Sequence, residues 1–425
     1  MKILVLLPNQ LYPSPNTTYD KIILWEHPHY FEKYRYNKKK LVLHKASCMW
    51  YANHMKIDYI EYPNPFANIN SLSEYHMYDP LDEIHLPFKP IIHDNPGFLL
   101  SSRQYEDYHI QTTKFFFTNF YKYGKEKLDI LKHVKSQDKL NRNKLHNDFK
   151  ETTFNISFTK DEEKYITNAK TFVNRCFPNN YGSTDNFNYP ISYTSAKQVV
   201  DFFIRYNLNC YGKYQDAIHS EYKKICHSLL SSSINIGLVK IKKLARRIAS
   251  QTNIPLQSKE GFIRQLFWRE YQLYTYKYYF KDNDNKLNNY FGFNNKLTKD
   301  WYMGTTGMTP VDVCIKNGFQ TGYLHHIERL MIMGNYMKLK EIHPMQGFKW
   351  FMEFSCDSYE WVMYQNVLDM VFFISGGKTM RRPYFSSSNY ILKMSNYNKN
   401  DAWVEKWDAL FDAFIQKHRD RLWKF

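Results

Sequence analysis

The sequence predicts an α/β layer with a parallel sheet, followed by an all-α half. Three observations carry that expectation. Short apolar runs alternate with helical patterns over residues 1–130, a polar stretch fills 131–190, and helical periodicity dominates 191–425. The chain therefore divides into an α/β domain (1–130), a polar linker (131–190) and a helical domain (191–425).

The elements follow in chain order. Ile3–Leu7 is an unbroken apolar run that ends at Pro8, too short for a signal sequence and suited to a first strand. Ile22–Trp25 gives a second strand and Lys56–Glu61 a third. Between them, Lys40–Met55 spaces Leu41, Leu43, Ala46, Trp50 and Met55 as a helix does. Strand and helix in alternation imply parallel pairing. The run KSQDKLNRNKLHND has almost no core residues, so the linker is expected to hold one short helix, around Glu162–Phe177. Helical periodicity then recurs at Ser195–Asn207, Tyr211–His219, Val239–Thr252, Gly261–Tyr279, Pro310–Glu341 and Ala402–Trp423, with an Asn-rich loop at Asp282–Lys296.

Composition narrows the function classes. Lys plus Arg number 58 against 41 Asp plus Glu, a net charge of +17 over 425 residues. Such an excess favours polyanionic partners through phosphate neutralisation, although a basic solvated surface would also produce it. The aromatic fraction of 18% suits stacking on bases or rings. AT-rich coding DNA enriches the same residues, and a viral gene in an infected host fits that bias. No apolar run is long enough to span a bilayer. The six cysteines form no CxxC pair, so they read as reduced thiols in a soluble, intracellular protein.

Five stretches carry chemistry, each with a plainer alternative. His227–Leu238 places Ser228, Ser231, Ser232 and Ser233 before a glycine turn, where hydroxyls cradle a phosphate or simply cap a helix. In Gly261–Tyr271, Arg264, Trp268 and Tyr271 share a helical stripe beside Arg269 and Glu270, which a core helix with one ion pair would also explain. His325 and His326 fall inside the expected Pro310–Glu341 helix, with Arg329 four residues after the first. A helix cannot aim both histidines alike, so at most one faces a given ligand; the alternative is a pair of structural histidines. Phe348–Met370 is rich in aromatics, including Trp350, Phe351, Phe354, Tyr359 and Trp361, as a core helix often is. Gly376–Ser395 combines Lys378, Arg381, Arg382 and Lys393 with four serines, either a phosphate-contacting loop or a solvated one.

Taken together, YLHHIERLMIMGN at Tyr323–Asn335 and RRPYFSSSNYILKMS at Arg381–Ser395 resemble the photolyase/cryptochrome family. The branch they resemble is the deoxyribodipyrimidine photolyase-related one, known for (6-4) photolyases. The resemblance covers nearly the whole chain, weakly in 1–190 and specifically in 210–400. It implies an antenna-type N-terminal domain and a C-terminal domain that binds FAD. It implies light-driven repair of UV-damaged DNA by electron transfer to a flipped-out pyrimidine lesion, with the (6-4) photoproduct preferred. A cryptochrome-like photosensor and a cyclobutane dimer photolyase are the alternatives.

The same resemblance assigns residues. Ser228, Leu230 and Ser231 match the phosphate segment, with His227 in the place of a Thr or Ser, and Tyr214 is the aromatic upstream. Gln265, Trp268, Arg329, Asp357 and Asn366 would contact the cofactor, with Met363 lining the same pocket. Glu270 would reach the damaged base, and His325 and His326 would handle the proton. Trp350, Tyr302 and Tyr359 match electron-relay positions, while Phe351 stands where some members have an oxidisable Tyr. Lys378, Arg381 and Arg382 would contact DNA. One departure matters. The cysteines that bind an iron–sulfur cluster in this branch correspond here to Pro310, Asn398, Asp401 and Glu405, so no cluster is expected. An antenna chromophore is expected without a fixed identity, because Pro8-Asn9-Gln10-Leu11 departs from the usual Gly-Asp-Gln-Leu. The expected partner is damaged DNA, for a monomer with no membrane attachment.

Overall fold

The computed structural model describes residues 1–422 apart from 14, 16, 17, 68, 71, 113 and 282–287. The first six residues of the Asn-rich loop, and Trp423 at the end of the last expected helix, lie outside the described residues.

Five parallel strands form the N-terminal sheet in the order β3-β2-β1-β4-β5. They are β1 (Lys2–Leu6), β2 (Lys21–Trp25), β3 (Asp58–Ile60), β4 (Glu74–Tyr78) and β5 (Ile91–His93). Leu4, Val5 and Leu6 of the central strand are fully buried, as a strand covered on both faces requires. The strands β4 and β5 have no counterpart in the sequence reading. EYHMY is mostly aromatic and polar, and IIH is too short to show a period.

The longer helices are numbered in order. Helix α1 (Lys38–Met55) starts where the Asn37 side chain accepts the Lys39 N–H at 2.9 Å, and it is buried on nearly every side. Its cations need partners there: Lys45 pairs with Glu26 at 2.9 Å, and Lys40 donates to the Ser358 carbonyl of the helical half. Helices α2 (Ser102–Gln111) and α3 (Phe117–Leu128) follow. Helix α4 (Lys160–Cys176) is longer than the short linker helix expected. A Thr159–Glu162 capping box starts it, and Ile166, Ala169 and Val173 join the core.

The helical half comprises α5 (Tyr193–Phe202), α6 (Ile241–Ala249), α7 (Leu256–Thr275), α8 (Thr309–Thr321), α9 (Pro344–Phe354) and α10 (Trp403–Lys417), with shorter turns between. Wide π-helical turns interrupt the pattern at Phe203–Asn207, Tyr276–Phe280, Glu328–Gly334 and Tyr364–Asp369. Two expected helices are broken. Tyr211–His219 is helical only to Tyr211, and Pro310–Glu341 divides at Gly322. Cys210 and Cys226 are joined by a disulfide, which corrects the reading of six reduced thiols; the other four are free. Among the described residues, no helix is long and apolar enough to cross a membrane.

The two halves share one core and are stitched by polar contacts. Asp82 accepts the Glu360 and Trp361 N–H groups, and Tyr34 donates to Glu360 at 2.6 Å. The Glu270 carboxylate reaches the other way, to Leu99, Leu100 and Tyr105.

Candidate active site

A cavity of about 890 Å³ opens among the Ser228–Asn235 turn, α7, the His325–Met331 segment, and residues 357–370 and 382–390. Its size is in the range that encloses a large organic ligand. The break at Gly322 aims one wall. Gly322 ends α8 with φ of +73°, a left-handed cap natural only to glycine. A Cβ there would sit 2.4 Å from Cys356 Sγ. Gly322→Ala is expected to destabilise the fold by about 1–3 kcal/mol from backbone strain alone. A urea midpoint equal to the wild type's would refute that.

Because the chain leaves the helix at Gly322, His325 and His326 lie at the start of the next helical segment rather than inside one long helix. The His325 N–H donates to Glu328 Oε2 at 3.1 Å, half of a capping box. The His325 ring is 3% exposed and stacks on His227, with centroids 4.7 Å apart and planes 19° apart. Burial, then the neighbouring imidazoles and cations, pushes its pKa well below the usual histidine range. His326 lines the same cavity but is exposed to solvent. Burial among the walls and the Arg329 charge lower its pKa too, although the solvent reaching the ring offsets part of that loss.

Two elements converge on Asp357. Arg329 forks onto it, Nη1 to Oδ1 at 3.0 Å and Nη2 to Oδ2 at 3.2 Å, while its Nε donates to the Leu324 carbonyl. Ser231 donates to Asp357 Oδ2 at 2.7 Å, and Asn235 donates to the Asp357 carbonyl. Burial pushes the Asp357 carboxyl up, but Arg329, Ser231 and Ser355 outweigh it and hold the group below the usual carboxylate range. A fixed ion pair therefore sits in the cavity wall. The π-helical turn Tyr364–Asp369 carries Asn366 to the same cavity.

Helix α7 supplies the opposite wall with Arg264, Gln265, Trp268, Arg269 and Gln272. Trp268 lies flat on Phe117 of α3, centroids 3.7 Å and planes 9° apart, which makes a broad aromatic platform. Glu270 is corrected. Two residues beyond Trp268 it points about 200° around the helix, away from the cavity. There it is fully buried, and its Oε2 accepts from Leu99 and Leu100 N–H at 3.0 Å and from Tyr105 at 2.7 Å.

Other assignments also move. Leu230 is a fully buried core residue outside the cavity lining. Tyr214 packs with Leu145, Ala217, Ile225 and Cys226, because the chain turns after Tyr211 and sends Gln215 and Asp216 to the cavity instead. Ser228, Ser231, Arg382 and Met363 do line it, whereas Arg381 stands outside over the Phe116 ring and Lys378 is an exposed cation. Trp350 and Tyr302 lie on one aromatic line with Phe319 between them, at 5.6 and 5.9 Å, and Tyr302 stacks on Tyr181. Phe354 links Trp350 to Arg329. Tyr359 departs from that line and hydrogen-bonds His44 of α1 at 2.8 Å.

Sequence reasoning missed Phe117, Thr118 and Tyr121 of α3 and Ser136, Asp138 and Arg142 of the polar stretch, all at the cavity. No local pattern marks them, since only the tertiary fold brings them there. It also missed Asp216, whose carboxyl is raised to about 6 by burial and by Asp138. Among the described residues, no group of three or more His, Cys, Asp or Glu side chains is arranged to hold a metal ion.

A parallel α/β layer stitched to a helical half around such a cavity defines a photolyase-type flavoprotein fold. Residues 262–425 match the family model of the FAD binding domain of DNA photolyase, and residues 66–189 that of deoxyribodipyrimidine photo-lyase-related protein. The chain belongs to the photolyase/cryptochrome family.

A (6-4) photolyase of Agrobacterium fabrum (strain C58 / ATCC 33970) is 35% identical over 263 residues, covering 59% of this chain and 52% of that protein. The chain thus spans about half the length of this curated relative. The uncharacterized protein R855 of Acanthamoeba polyphaga mimivirus is 50% identical over 91 residues, 21% of this chain and 74% of that protein. The crystal structure of the Synechocystis sp. PCC6803 cryptochrome superposes with a TM-score of 0.61 at 12% identity, over 99% of this chain and 93% of that one, which shows a shared fold.

The residues present fit a flavin nucleotide. The cavity joins an aromatic platform, hydroxyls at Ser228 and Ser231, and the Arg329–Asp357 pair. It also holds a buried imidazole whose two ring nitrogens have no hydrogen-bond partner.

Proposed function

We propose that this chain is a DNA photolyase that holds FAD in this cavity and repairs UV lesions, with the (6-4) photoproduct preferred. The observation that carries the reading is His325: a buried imidazole at the cavity wall, with neither ring nitrogen satisfied within the protein. A buried donor left unpaired is costly unless a ligand completes it. Kinship with a (6-4) photolyase supports the same lesion class.

Reduced flavin, when bound, supplies an excited-state electron to the lesion. The chain's own residues do the rest. Ser228 would offer its hydroxyl to the cofactor's phosphate, Ser231 holds Asp357 in place, and Trp268 and Asn366 would hold the cofactor from two walls of the cavity. The Arg329–Asp357 pair fixes charge beside the cofactor before any light is absorbed, which is electrostatic preorganisation. His325 gives a proton to the reduced lesion, with His326 beside it at the solvent side. Arg382 at the mouth, with Arg381 and Lys378 outside it, neutralises DNA phosphates around the flipped-out nucleotide.

The Trp350–Phe319–Tyr302 line is the candidate path for flavin photoreduction. Phe319 is hard to oxidise, so reduction through it is slow. Glu270 is left out of the mechanism. Without thiols at Pro310, Asn398, Asp401 and Glu405, the protein works with no iron–sulfur cluster, and its antenna pigment is left unspecified. We read it as an intracellular monomer, and the mimivirus relative supports a viral gene.

The test is an absorption spectrum of the purified protein before and after blue light with a reductant, followed by repair of defined lesions. Flavin bands together with (6-4) repair are expected. Flavin photoreduction with no repair of either lesion would mean a cryptochrome-like photosensor, and a colourless protein that takes up no FAD would overturn the whole reading.

A further inference from the structure

His325 makes no ring hydrogen bond, yet two neighbours fix it. Beneath it lies His227, whose Nδ1 and Nε2 stand 3.0 and 3.1 Å from the Lys224 and Gln215 carbonyls. Both partners are acceptors, so the neutral ring donates to one carbonyl at a time; that bond and the stacking hold it as a plate under His325. At the edge lies Glu328, 2% exposed, whose Oε2 takes the His325 N–H and stands 3.7 Å from His325 Nε2.

The surrounding charges favour a mobile proton. Lys223 and Arg329 face Glu328 from the cationic side and Glu151 from the anionic side, with Cys314, Tyr323 and Tyr397 closing the rest. Burial pushes the Glu328 carboxyl up, against Lys223, the His325 N–H and Arg329, to about 7. His325, with His227, His326, Arg329 and Lys223 around it, is kept neutral by burial first and by those groups next. A neutral imidazole of lowered basicity carries no spare proton, so an acid nearby must provide one.

We infer that Glu328 is a positioning residue that supplies the proton His325 hands on, with His227 as the plate that keeps the imidazole aligned. The proton's destination rests on the photolyase reading; the pair itself does not. The step is a relay of two proton transfers that delivers one proton net. The Glu328 O–H bond breaks as an N–H bond forms at His325 Nε2, and the proton on Nδ1 passes to the anionic atom of a ligand in the cavity. Glu328 is left as a carboxylate, His325 as its other neutral tautomer, and the ligand one proton richer. At 3.7 Å the two groups are not hydrogen-bonded, so the transfer requires the carboxyl to close on the ring.

The experiment uses the full chain with 15N-labelled histidine, titrated from about pH 5 to about pH 9, as wild type and as Glu328→Gln and Glu328→Asp. The wild-type His325 nitrogens are expected to shift near neutral pH; Glu328→Gln abolishes that step and Glu328→Asp retains it. A His325 titration unchanged in Glu328→Gln overturns the inference. The second readout is single-turnover repair of a (6-4) lesion under blue light. Glu328→Gln should slow it by roughly 10²-fold at neutral pH, with flavin content unchanged and partial recovery in Glu328→Asp. If the wild type repairs nothing, the functional reading fails and the nitrogen titration still decides the pair. If Glu328→Gln repairs like the wild type at every pH, the inference alone fails.

Discussion

Glu270→Ala is expected to lose about 3–5 kcal/mol of folding stability, the usual penalty for stripping a buried charge of its partner. Three donors converge on one oxygen, Oε2: the N–H groups of Leu99 and Leu100 and the Tyr105 hydroxyl. Arg269, beside the same carboxylate at 3.6 Å, would lose its counter-charge. Glu270→Gln separates stability from catalysis, because an amide oxygen in the Oε2 position keeps all three bonds. It should cost less than Glu270→Ala but still about 1–3 kcal/mol, since the amide N–H groups meet no acceptor at the buried Oε1 position and Arg269 loses its counter-charge here too. Urea unfolding and repair rate, measured on both variants, decide the matter. A Glu270→Gln protein that stays folded yet repairs nothing would restore the carboxylate to the chemistry.

His325→Ala should behave in the opposite way. Its ring makes no hydrogen bond within the protein, so its removal leaves no protein group unpaired, and folding should survive the void left beside His227. Repair of the (6-4) lesion should fall by about 10²- to 10⁴-fold, the range typical of a lost general acid. His326→Ala should matter less, because that ring is already exposed to water. Single-turnover repair on both lesion types is the measurement. Wild-type (6-4) repair by His325→Ala would remove the residue from the mechanism, and equal losses on cyclobutane dimers would point to a structural role.

The fold was legible where the pattern was strong. An unbroken apolar run gave β1, and helical spacing gave α1, α7 and the last long helix within a few residues. The strands β4 and β5 were not legible, because one is mostly aromatic and polar and the other is three residues long. At the site, His325, Arg329, Ser231 and Asp357 could be named from motifs alone, and all four reach the cavity. Glu270, Leu230 and Tyr214 could not be placed that way. Sequence neighbourhood does not say which side of a helix or turn a residue takes, and all three face other walls. The Cys210–Cys226 bond was hidden as well, since sixteen residues apart is no recognisable spacing.

The π-helical turns at Glu328–Gly334 and Tyr364–Asp369 bear on how this pocket could change over time. Each holds one residue more than an α-helical turn of similar span. One residue corresponds to about 100° of helical phase. Losing a single codon from either turn would therefore leave every side chain chemically intact while rotating Arg329 or Asn366 relative to the elements beyond. The pocket wall is thus open to revision by length as well as by letter, and relatives with different substrates are best compared first for residues gained or lost in these two turns.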